Sequence, residues 1–99
     1  MNVVTLIGNV AGGVKLLKVG AGGEQVARLL LSVDRPGGGD FDLVDVEVRG
    51  AQAATCKRSL HVGQRLAVDG RIRTSGPKLE EVVVVANHLH FLSEPTVLS

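Results

Sequence analysis

Apolar and polar residues alternate along most of this chain, and glycine is what interrupts them. The first stretch, Val3 to Val10, runs into Gly12-Gly13 and resumes as Val14 to Val19. A long strand that bends at glycine suits a strongly curved sheet, because glycine tolerates the local backbone. After Gly20-Ala-Gly-Gly23, the second stretch, Glu24 to Asp34, sets Ala27, Leu29, Leu31 and Val33 on one face and Arg28, Leu30, Ser32 and Asp34 on the other. The apolar set is the expected core face. Arg35-Pro-Gly-Gly-Gly-Asp40 has no means of holding a ladder and is expected to be a mobile loop. The third stretch alternates most cleanly, with Val44, Val46 and Val48 inward and Leu43, Asp45, Glu47 and Arg49 outward.

Ala51 to Ser59 breaks the pattern. It is rich in alanine, lacks glycine and proline, and predicts one or two helical turns that plug one end of the fold. Gln64 to Thr74 alternates again, with Leu66, Val68, Gly70 and Ile72 inward and Arg65, Asp69, Arg71 and Arg73 outward. Ser75-Gly-Pro-Lys78 turns the chain into a last stretch, Leu79 to Leu92, and Ser93 to Ser99 is a short tail. Five strands with a short helix between the third and fourth predict an all-β fold, a five-stranded barrel of the oligonucleotide-binding (OB-fold) type. Residues 1–92 then form one domain and 93–99 its tail.

Composition narrows the chemistry. The chain has two phenylalanines, Phe41 and Phe91, and neither Trp nor Tyr, so the core is aliphatic and a face that needs ring stacking is poorly supplied. A formal net charge of +1 gives no long-range basic field, and nucleic-acid binding must come from local placement of Arg and Lys. The single cysteine, Cys56, excludes an internal disulfide and fits a reducing, cytoplasmic compartment. No basic region with a long apolar run opens the chain, and charged and polar residues interrupt the last stretch, so neither secretion nor a membrane span is indicated. His88 and His90 share one face but lack further ligands at recognisable spacing, so no metal is expected. The glycine runs lead into strands rather than a helix N-terminus and carry no following Gly-Lys-Ser/Thr. No nucleophile and base stand out, so neither an enzyme nor a cofactor is expected.

The candidate binding residues are cationic. Arg28, Arg49, Arg65, Arg71 and Arg73 all point outward, where guanidinium groups either track phosphates and stack under bases or pair with Asp45, Glu47 and Asp69 on neighbouring strands. Lys15 and Lys18 flank the bend after the first stretch, and Arg35 and Lys78 sit at loop bases; each meets phosphate or merely solvates the surface. Lys57 and Arg58 are explained by the helix C-terminus. Asp45 and Glu47 repel phosphate unless paired with arginine, so moderate, salt-sensitive binding is expected.

Several segments in order resemble a known family. They are Met1-Asn-Val-Val-Thr-Leu-Ile-Gly-Asn9, Leu30-Leu-Ser-Val-Asp-Arg35, Val46-Glu-Val-Arg-Gly50, Leu60-His-Val-Gly63, Leu66-Ala-Val-Asp-Gly-Arg-Ile-Arg73 and Glu81-Val-Val-Val-Val85 to Phe91-Leu92. Together they resemble the bacterial single-stranded DNA-binding proteins over essentially the whole chain. The resemblance implies a nucleoid-associated barrel that forms homodimers or homotetramers and wraps single-stranded DNA. It implies a role in replication, recombination and repair without catalysis, and DNA contacts from the loops Val19 to Glu24, Arg35 to Phe41 and Thr74 to Lys78.

The last two loops are shorter than usual in that family. Positions matched by Leu43, Arg49 and roughly Pro77 are commonly aromatic there and are not here, and each lost ring forfeits about 1–3 kcal/mol of base stacking. Stacking would fall to Leu43 and arginine. The sequence ends at Ser99 without the acidic tail that recruits partners in the family. Two other readings follow from these departures. One is a relative of primosomal replication protein N, which assists helicase loading with replication-restart proteins. The other is a barrel that has lost DNA binding and pairs with a full-length tailed paralogue.

Overall fold

A computed structural model of the chain describes residues 1–19 and 22–92, without the side chains of Lys18 and Val19. Its elements are β1 (Val4–Val10), β2 (Lys15–Val19), β3 (Glu24–Asp34), β4 (Phe41–Arg49), α1 (Ala51–Ser59), β5 (Arg65–Ser75) and β6 (Glu81–Phe91). The expected tail, 93–99, lies outside the described residues.

Six strands replace the five expected, because the first stretch is two strands rather than one that bends. The chain changes partners within β1, at Asn9, and the break that follows interrupts its pairing with β3. Val4 to Asn9 pair with β5, Asn9 and Val10 pair with Ser32 and Leu31 of β3, and Lys15 to Val19 pair with Arg28 to Glu24 of the same β3. Between them only Ala11 N–H reaches β3, donating to the Leu30 carbonyl at 2.8 Å. Gly12 and Gly13, with no side chains to pack and more backbone freedom to lose, weaken a strand there.

The sheet runs β1-β5-β6-β4-β3-β2 and curls until β1 also meets β3. The curl is uneven. β3 and β4 pair over nine residues, whereas β4 and β6 share only two parallel pairs, Val46 with Val84 and Glu47 with Val85. A register shift between β5 and β6 at Asp69/Gly70 bends the two strands there. Gly70 is needed at the bend, since a Cβ in its place would run into the Val85 carbonyl oxygen.

The core is aliphatic as expected. Val10, Leu29, Leu31, Val46, Val48, Leu66, Val68 and Val84 form its centre, with Ala53 and Cys56 of α1 inserted among them. Nine helical residues without a side-chain N-cap are too few to hold a helix alone. Packing against β2, β3 and β4 supplies the order, and burial there pushes the Cys56 thiol pKa up. One core expectation fails: Ile72, beyond the Gly70 bend, is 44% exposed although its register partner Val84 stays in the core.

The expected mobile loop after β3 is a hydrogen-bonded turn. Arg35 N–H donates to the Asp40 carbonyl at 3.0 Å and Gly38 N–H to the Arg35 carbonyl at 3.2 Å, while Gly37, Gly38 and Gly39 supply three consecutive positive φ angles.

Candidate nucleic-acid interface

Pairing register fixes which outward side chains meet. Lys15 of β2 stands beside Arg28 of β3, Arg28 beside Glu47 of β4, and Glu47 beside Val85 of β6. One step along, Leu17, Val26 and Arg49 form a parallel row. The β5–β6 hairpin brings Arg73, register partner of Val83, to the same place. These side chains, apart from the two valines of β6 and together with Leu30 and Asp45, line an open groove of about 680 Å³ on the outside of the sheet.

Glu47 forms its floor. It is 4% exposed and three guanidinium groups close on it. Arg49 Nε donates to Oε2 at 3.0 Å, Arg73 Nη2 donates to Oε1 at 3.0 Å, and Arg28 Nε lies 3.5 Å from Oε1. Burial pushes the Glu47 carboxyl up, but the hydrogen bond from Arg49 and the charges of Arg73 and Arg49 outweigh it and hold its pKa below the ordinary 4.5. Glu47 is therefore ionised at neutral pH. Arg49 also stands 3.6 Å from Glu24, and Arg73 Nε is buried with no hydrogen-bond partner among the described residues. Four cations against two lining carboxylates leave the groove positive, and Leu17, Val26 and Leu30 make its walls partly apolar.

The structure thus gathers four of the candidate residues, Lys15, Arg28, Arg49 and Arg73. The Lys18 side chain lies outside the described residues. Leu43 is on the outer face of β4 but beyond the groove. Arg71 is exposed on β5 and Lys78 in the turn before β6, and neither lines the groove. Arg65 sits opposite Asn9 of β1, in another part of the sheet. Arg35 is held by its own turn, with Nη1 donating to Asp40 Oδ2 at 2.9 Å and Nη2 and Nε to Asp42 Oδ1 at 2.7 and 3.0 Å. That hydrogen bond holds the Asp42 carboxyl below its ordinary value.

Two features escape sequence reading. One is the burial of Glu47, foreshadowed only by Arg49 two positions on along the same strand face. The other is the placing of Phe41, expected in a DNA-contacting loop, at the start of β4, where it continues the outer face through Leu43; the two side chains are 52% and 55% exposed. Neither lines the groove, whose nearest apolar wall on that side is Leu30. Among the described residues, no three His, Cys, Asp or Glu side chains gather as a metal site, and no helix is long and apolar enough to cross a membrane.

Known proteins resemble both the sequence and the fold. Residues 1–92 match the model of the single-strand binding protein family. Direct comparison with curated protein sequences gives no significant match. Among solved structures, a deletion mutant of the single-stranded DNA binding protein from Thermus aquaticus superposes with a TM-score of 0.83 at 25% identity, covering 97% of this chain and 43% of that one. The wild-type Thermus aquaticus protein gives 0.82 at 23%, covering 100% and 44%. The dimeric N-terminal domain of the PriB protein from Thermoanaerobacter tencongensis gives 0.74 at 24%, covering 94% and 98%. The chain spans less than half the length of the Thermus aquaticus protein, and the likenesses below 25% identity speak for the fold alone.

Proposed function

Because the chain belongs to the single-strand binding protein family, we propose that it binds single-stranded DNA without sequence preference and without catalysis, in replication, recombination and repair. Residues 1–92 form the binding domain, with β1 and β2 acting as the two halves of one barrel strand. The observation that carries the reading is the groove in which Lys15, Arg28, Arg49 and Arg73 converge beside Leu17, Val26 and Leu30. Cations there meet phosphates, while apolar walls accept bases that a duplex keeps stacked inside. Leu43 and Phe41 extend the base-accepting surface along β4. Arg71 and Lys78 on the β5–β6 hairpin meet the strand outside the groove, Lys18 of β2 is a further candidate contact, and Arg35 contributes little because two aspartates already hold it.

A homo-oligomer accompanies this reading. Val4 to Gly8 pair only with β5 among the described residues, leaving their other edge open, and Ile7 is exposed on the same strand. An unpaired edge with apolar cover invites a second chain, and the PriB domain that superposes on this chain is dimeric.

The test is a fluorescence-anisotropy titration of labelled dT oligomers of increasing length, with duplex competitor, at low and moderate salt. Binding that grows with length, prefers the single strand and weakens steeply with salt is expected. Equal, negligible binding to dT and duplex at low salt would overturn the reading.

A further inference from the structure

A buried carboxylate is an odd floor for a groove that receives a polyanion. Glu47 sits at the middle of the outer face of β4, and every neighbouring element presents a group to it. Lys15 comes from β2, Arg28 from β3, Asp45 and Arg49 from β4 itself, and Arg73 from β5, while Val85 of β6 is its apolar neighbour and Glu24 stands behind Arg49. Three guanidinium groups crowded together without an anion would repel one another, and Glu47 removes that repulsion in the empty groove.

The same contacts act against DNA. The hydrogen bonds to Glu47 occupy one nitrogen of Arg49, its Nε, and one of Arg73, its Nη2, and a guanidinium has five N–H donors. Donors remain on both for a phosphate, so the phosphate arrives while Glu47 is still in place. Being 5% exposed at the side chain and held from three directions, Glu47 has no room to swing away. Its charge stays beneath the phosphate, in surroundings less polar than water, where repulsion is poorly screened.

The geometry points to Glu47 as an internal counter-anion that gathers Arg28, Arg49 and Arg73 in the free protein and competes with DNA phosphates for them, thereby limiting single-strand affinity. This inference rests on the proposed binding of single-stranded DNA in the groove. Its first test is Glu47→Gln, which keeps the shape and one acceptor oxygen and removes the charge. Anisotropy titration with a dT oligomer should show affinity raised about tenfold at low salt. A plot of log affinity against log salt should steepen by about 0.7, the value for one further phosphate neutralised on a single strand. Asp45→Asn removes an exposed carboxylate on the groove wall and should tighten binding by a smaller factor.

The wild-type protein supplies a second test that needs no variant to fold. If phosphates compete for the guanidinium groups, DNA makes the Glu47 carboxylate easier to protonate. Binding should then take up protons increasingly from pH 7 to pH 5, read by calorimetry in buffers of different ionisation enthalpy; thymine itself does not titrate there, and uptake by His61, His88 and His90, which do not line the groove, is distinguished by its persistence in Glu47→Gln. Asp45→Asn should retain most of that uptake. If wild type fails to bind dT, the proposed function falls. If wild type binds but Glu47→Gln binds no more tightly, or the salt slope is unchanged, the function stands and the inference is overturned. Should Glu47→Gln fail to fold, absence of proton uptake by wild type overturns it equally.

Discussion

Two arginine clusters on this molecule have opposite stoichiometry. In the turn after β3, one guanidinium, Arg35, is held by two carboxylates, Asp40 and Asp42, all of them exposed. In the groove, one buried carboxylate, Glu47, is held by three guanidinium groups. Both look like salt-bridge networks, but the first leaves negative charge over and the second leaves positive charge. The excess, more than the number of ion pairs, decides which cluster attracts a polyanion. Burial decides the rest, because water and salt screen the exposed cluster and reach the groove floor poorly.

The largest effect expected from this contrast is on DNA affinity. The double variant Arg49→Gln/Arg73→Gln removes two of the guanidinium groups that face the groove, and hydrogen bonds to charged groups contribute about 1.5 kcal/mol or more, roughly a factor of ten each. Affinity for dT oligomers should fall about 100-fold and the salt slope should become shallower. Arg35→Gln, also the loss of an arginine beside carboxylates, should change affinity less than twofold. Equal losses from the two variants, read in one anisotropy series, would erase the distinction between the clusters.

A smaller effect tests whether Leu43 and Phe41 extend the base-accepting surface beyond the groove. Phe41 lies six residues from Glu47 along β4, roughly 20 Å at about 3.4 Å per residue, so only a strand that crosses the whole sheet reaches its ring. Phe41→Ala should weaken a long dT oligomer by about five- to tenfold, as expected for one lost stacking contact. A short oligomer, which the groove alone accommodates, should be affected little. Equal weakening of both lengths would mean that Phe41 supports the groove from a distance rather than touching DNA.

The same contrast explains what the sequence makes legible. Alternation identifies the inward valines of β4 and the alanine-rich helix because each depends on local periodicity, and Ala51–Ser59 is the helix found. The switch of β1 from β5 to β3 at Asn9 is not local, nor is the mismatch by which the five steps from Val10 to Lys15 face three from Leu31 to Arg28, since pairing is not written in a single strand. Ile72 shows the same limit, since alternation turns it inward while beyond the bend at Gly70 it is exposed. In the groove, outward arginines and outward acids are both visible in the sequence. Whether they pair depends on register, and only the placement of Arg28 opposite Glu47, with Arg73 arriving from the hairpin, distinguishes a buried hub from a mixed surface.

Acid stability gives the smallest separation of the two clusters. Glu47 and Asp42 both have folded-state pKa values below their ordinary ones, 4.5 and 3.8. A depressed carboxylate pKa stabilises the fold above the unfolded-state value, and that contribution is lost as pH falls through the folded-state value. Glu47→Gln should therefore lower the urea midpoint at pH 7, with the gap to wild type closing as pH falls past the ordinary 4.5 and vanishing once it lies below the folded-state value. Asp42→Asn follows the same sign, but its exposed partner is solvated and screened, so its gap should be slight and should disappear in 0.5 M salt on the order expected from screening. The Glu47→Gln gap should persist in that salt. If salt removed both gaps alike, Glu47 would be as accessible to solvent in solution as Asp42, and the groove would lose the buried charge on which its difference from the Arg35 turn depends.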